Sequence, residues 1–113
     1  MPERRTTPRK KFFFYMRVDD DDTQKILGHM VEVSATGLQL ETTEPLPVNK
    51  DYYLRLELSA DLADRPYMVF VGSSRWCKID KYEPNLYHVG FQIVEIMPDD
   101  REVFLRILEK FGK

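Results

Sequence analysis

Two short groups of residues have types and spacing suited to recognition chemistry. Arg5-Thr6-Thr7-Pro8-Arg9 sets two guanidinium groups four positions apart, just ahead of a β-prone run. Two guanidiniums on one short segment can grip an anion from two sides. Arginine also pairs bidentately with the O6/N7 edge of guanine and stacks on its face. The second group, Glu32-Val33-Ser34-Ala35-Thr36-Gly37, begins 23 residues after Arg9. A carboxylate at Glu32 can accept from the N1–H and exocyclic amine of guanine, and the Ser34 hydroxyl can donate to phosphate. Gly37, expected at positive φ in a tight connection, would let backbone N–H groups approach a ligand.

Catalytic constellations are absent by comparison. A nucleophile–base pair needs Ser or Cys with His, oriented by a third group. The only histidines, His29 and His88, fall mid-strand, and Cys77 beside Trp76 reads as a small buried hydrophobe. Two histidines and scattered carboxylates show no metal-ligand spacing, so neither a metal nor a cofactor is expected. No glycine-rich phosphate loop or dinucleotide fingerprint appears. The four carboxylates Asp19–Asp22 lack the spaced ligands and glycine of a calcium loop, and read as a hairpin tip. The chain is read as a binding module rather than an enzyme.

The elements that must position these groups are mostly strands. Residues 1–10, with Pro2 and Pro8 and no apolar periodicity, are expected to be a flexible basic arm; 11–113 form one domain. Lys11–Val18 is aromatic and β-prone, a first strand. Ile26–Val33 is the second, and Leu38-Gln39-Leu40 a short third. Tyr52, Leu54, Leu56 and Leu58 alternate with Tyr53, Arg55 and Glu57, a strand with one wet face. Tyr67–Lys78 and Leu86–Ile96 are two long strands. In the last, Tyr87, Val89, Phe91 and Ile93 share a face, and Gly90 marks a point of close approach on the other. A helix over 99–111 ends the domain, with Asp99 as cap, Glu102 completing a capping box, and Val103, Phe104, Ile107, Leu108 and Phe111 as an apolar stripe. Six short-spaced strands and one helix predict a mainly β fold, a small six-stranded antiparallel barrel with a C-terminal α-helix.

Composition bounds the function further. The 113 residues suit one domain, and 42% apolar with 32% charged is ordinary for a globular one. No apolar stretch nears the roughly 20 residues of a membrane helix. No secretory h-region follows the early arginines. One cysteine permits no internal disulfide, which fits a reducing, cytoplasmic setting. Residues 1–17 carry six basic side chains against Glu3, a balance of +5, so the remaining chain holds −7 of a net −2. A basic arm on an acidic body suits a local anion site rather than a groove for nucleic acid. A barrel that stacks single-stranded nucleic acid on Tyr52, Tyr53, Phe70 or Trp76 is therefore disfavoured.

Taken together and in this order, the two groups resemble the PilZ domain, a bacterial receptor module for cyclic di-GMP. That family carries R-x-x-x-R in an N-terminal arm, then D/N-x-S-x-x-G at the end of a barrel strand. Glu3-Arg4-Arg5, the Pro8-Arg9 step, Arg75-Trp76 and Tyr87-His88-Val89-Gly90-Phe91 also look like the family. The resemblance runs from about Glu3 to the end. It implies that Arg5 and Arg9 contact guanine and phosphate, that Arg4 assists, and that Glu32, Ser34 and Gly37 occupy the second motif. A tryptophan at the place of Trp76 lies near the ligand in some members; a core position is the other reading.

The implied protein is a nucleotide-binding signal-transduction receptor whose arm orders on cyclic di-GMP and whose surface then speaks to an effector protein. It would act as a monomer or weak homodimer. Motility, exopolysaccharide synthesis and biofilm control are the processes such modules serve. One departure is Glu32, where the family has Asp or Asn. The extra methylene costs roughly 1–3 kcal/mol in a close-packed pocket, up to about a hundredfold in affinity. The alternative is therefore a PilZ-like domain that does not bind the nucleotide and works as a protein-interaction adaptor.

Overall fold

The computed structural model describes residues 16–112. Six strands, β1 (Arg17–Asp20), β2 (Ile26–Val33), β3 (Gly37–Thr42), β4 (Asp51–Glu57), β5 (Tyr67–Ile79) and β6 (Tyr87–Ile96), precede a helix, α1 (Pro98–Phe111). Every strand pair is antiparallel, and the sheet closes as a barrel in the order β1-β2-β3-β6-β5-β4. This is the architecture that the strand spacing predicts.

Period-two alternation explains which faces are buried. In β4, Tyr52, Leu54 and Leu56 point inward while Tyr53 and Glu57 are exposed. From β6, Val89 and Phe91 enter the same interior, where they meet Val18, Met30, Leu40, Met68 and Phe70. The helix adds Val103, Phe104 and Ile107 to this core, with Leu108 and Phe111 packed beside it. Each such apolar side chain contributes about 1.5–3 kcal/mol when fully buried.

Several local expectations are corrected. Lys11–Tyr15, the front of the expected first strand, lies outside the described residues, as does the arm 1–10. The acidic turn starts later than Asp19. β1 runs on through Asp20 because it pairs there with Leu54 of β4, and the buried Asp19 faces Arg17 at 3.1 Å. The Asp20 carboxylate then organises the turn by accepting the N–H groups of Asp22 and Thr23. The helix starts at Pro98 with Met97 as its cap residue and no side-chain cap, because proline is preorganised for the first helical turn. Asp99 is thus inside the helix, and Glu102 pairs with Arg106 at 3.8 Å instead of reaching back. Among the described residues no glycine has positive φ; Gln24 (φ 65) and Asn49 (φ 61) hold the left-handed positions instead.

Candidate functional site

Two β-bulges shape one face of the barrel. Along β2 and β3, Met30 opposes Leu40 but Glu32 opposes Gln39, so Val31 is the extra residue. Met30 and Val31 are both buried, and the alternation resumes with Glu32 outward and Val33 inward. Without that insertion Glu32 would fall on the core face. Along β5 and β6, Ser74 opposes Phe91 but Trp76 opposes Gly90, so Arg75 is the extra residue. Bulges bend a strand and re-aim its side chains. Here they turn Glu32 and Trp76 toward one another across the paired strands β3 and β6.

Between them lies a cavity of about 330 Å³. Glu32, Ser34, Gly37 and Trp76 all line it, so four of the seven residues singled out in the sequence come together. Arg4, Arg5 and Arg9 lie outside the described residues. Thr36, Gln39, Arg75 and Gln92 also line the cavity and were not anticipated. Gln39 and Gln92 flank inward-facing residues of β3 and β6. Only the strand order places them beside Glu32 and Trp76.

The floor is built by close approach. A Cβ at Gly90 would lie 2.2 Å from the Trp76 indole Nε1, so only glycine lets the ring lie flat on β6. Gly37 is required for the same kind of reason and not for positive φ. Its Cβ would lie 2.3 Å from the Phe91 carbonyl oxygen, where β3 presses on β6. The Ser34 N–H donates to the Gly37 carbonyl at 2.8 Å, closing the β2–β3 turn, and the Ile93 N–H donates to the Thr36 carbonyl at 2.8 Å, tying that turn to β6.

Polar groups at the rim carry charge and direction. Arg75 donates to Gln92 Oε1 through Nε at 2.9 Å and Nη2 at 2.6 Å. This holds a guanidinium at the cavity mouth. Trp76 is 37% exposed and has Lys78 Nζ 5.4 Å from its ring centroid. The indole is therefore a half-exposed plane with cations nearby, suited to stacking a flat heterocycle. The core reading of Trp76 is excluded by that exposure. Tyr52 and Phe70, by contrast, are buried and cannot serve as stacking platforms. Cys77 is partly buried and packs against the core, as expected of a small hydrophobe.

The site thus offers a carboxylate, hydroxyls, amides, a guanidinium and an aromatic plane around one opening. The family model described as PilZ domain matches residues 3–110, nearly the whole chain. No curated protein and no solved structure matches the chain significantly.

Proposed function

Because the chain belongs to the PilZ domain family, we propose that the cavity is its receptor site for cyclic di-GMP. The observation that carries this reading is the convergence of Glu32, Ser34, Gly37 and Trp76 on one opening. The family is one of binding and adaptor modules, and the chemistry of the lining fits binding without turnover. Trp76 stacks a guanine base, Glu32 accepts from its N1–H and amine, and Ser34 and Arg75 meet phosphate. Arg5 and Arg9, with Arg4, close on the ligand from the N-terminal side.

Ordering five residues of that arm costs about 5–10 kcal/mol at roughly 1–2 kcal/mol each. Several charge-assisted hydrogen bonds at about 1.5–3 kcal/mol each offset it. The arm and nucleotide then present a new surface to an effector protein in a bacterial signalling pathway such as motility, exopolysaccharide or biofilm control. Glu32 fits this reading because the bulge at Val31 sets it at the rim of an open cavity rather than in close packing.

Calorimetric titration of cyclic di-GMP into the wild-type chain and into Arg9→Ala tests the proposal. Saturable binding in the wild type, weakened at least about tenfold in the variant, is expected. No heat in the wild type, with binding restored by Glu32→Asp, would make the site an impaired one. No heat in either would overturn the receptor reading in favour of a protein-interaction adaptor.

A further inference from the structure

Away from the cavity mouth, strand register gathers a second set of donors that the spacing in the sequence conceals. Glu41 of β3 is the cross-strand partner of His29 on one side and of His88 on the other. The flanking residues Leu40, Thr42 and Val89 are buried, so Glu41 and His88 point outward together. Asp80, just beyond the end of β5, brings Oδ2 to 2.7 Å from His88 Nε2. One donor atom from each of Glu41, Asp80 and His88 lies within 4.8 Å of the other two.

We propose that Glu41, Asp80 and His88 form a site for a divalent transition-metal ion of the zinc class, with His29, cross-strand from Glu41, adjacent to it but outside that group of three. Imidazole with carboxylate oxygens is the ligand set that such ions favour. The charge arrangement calls for a cation. Two half-buried carboxylates face one another, and among the described residues no side chain pairs with Glu41. The basic residues cross-strand from the two histidines are engaged elsewhere. Lys78, opposite His88, lies over the Trp76 ring, and Arg17, opposite His29, faces Asp19.

The surroundings hold the donors ready. Asp80 Oδ1 accepts the N–H groups of Tyr82 at 2.8 Å and Glu83 at 2.9 Å, which fixes the carboxylate. Gln39 Nε2 lies 3.1 Å from His88 Nδ1. In the tautomer that satisfies both contacts, the ring donates from Nε2 to Asp80 and accepts from Gln39 at Nδ1. With metal, Nε2 gives its lone pair to the ion and the ring proton resides on Nδ1. Gln39 then turns its amide so that Oε1 accepts that proton. The outer partner orients the ligand as in other histidine metal sites.

The test is titration of the full chain, freed of metal, with zinc chloride in a calorimeter and with cobalt(II) followed by visible absorption. One saturable equivalent is expected, with a cobalt spectrum of nitrogen and oxygen ligands and no thiolate charge-transfer band. Loss of an outer-shell partner weakens metal binding about 10–100-fold, and loss of a ligand by no less. Glu41→Gln and His88→Gln are each expected to weaken binding by at least about tenfold, and His29→Gln by less. No saturable binding, a thiolate band implicating Cys77, or full affinity in both Glu41→Gln and His88→Gln would overturn the proposal. The wild-type cobalt spectrum separates these outcomes even where a variant fails to fold.

Discussion

At the scale of single residues, two glycines set how closely the site's elements approach one another. Gly90 admits the Trp76 ring and Gly37 admits the Phe91 carbonyl, and the two obstacles differ in kind. An indole that is 37% exposed can swing outward. A carbonyl in a sheet cannot. Gly90→Ala is therefore expected to cost about 1 kcal/mol, while Gly37→Ala costs about 3 kcal/mol or more, at the upper end of overpacking penalties. Denaturant titration distinguishes them, and equal costs would mean that Trp76 is as rigid as the sheet. Trp76 is the sole tryptophan, so its emission should shift to the red in Gly90→Ala alone. Close approach at Gly90 is readable in the sequence, because a glycine within an alternating strand has few other uses. The reason for Gly37 is not. It lies in the contact of β3 with β6, two strands far apart in the chain.

At the scale of elements, bulges and tethers decide where side chains point. The strands and the helix are legible from alternation and from the apolar stripe, as β4 and α1 show. The extra residues Val31 and Arg75 are not, because a bulge exists only relative to a partner strand. Arg75, Gln39 and Gln92 escape sequence reasoning as site residues for that reason. The helix start is misplaced for a local reason: Pro98 outranks Asp99 as the signal. The β3–β4 connection is pinned from two strands. The Tyr52 hydroxyl donates to the Pro47 carbonyl at 3.2 Å, and the buried Ser74 hydroxyl donates to the same oxygen at 2.7 Å. Burial, and secondarily the charges of Asp20 and Cys77, raise the Tyr52 hydroxyl above its ordinary 10.0. A raised folded value means that the unfolded chain ionises first. The contribution of Tyr52 is thus complete below about pH 10 and is lost as pH rises from there through the folded value. Tyr52→Phe should lose about 1 kcal/mol at about pH 7 and show a shallower decline of stability above about pH 10. Parallel alkaline declines in both proteins would show that Tyr52 does not carry it.

At the scale of the whole molecule, ligand binding and folding are linked. Among the described residues no helix is long and apolar enough to cross a membrane, and one barrel carries both the core and the cavity. A ligand that binds only the folded barrel stabilises all of it. At about a hundred times Kd the gain is about 2.7 kcal/mol, which for a domain of this size raises Tm by roughly 10 °C. Cyclic di-GMP should produce that shift in the wild type and at most about half of it in Arg9→Ala; a shift of equal size in both would detach the arm from the site. Closure of the barrel has a further consequence. β1 and β4 bond to each other through Val18–Asp20, so among the described residues the strand order closes on itself with no open end. A partner that adds a strand of its own finds no terminal strand of an open sheet to extend. On the receptor reading proposed above, a partner that distinguishes the liganded state does so through surface side chains and the nucleotide, and its specificity is open to point substitution on that surface.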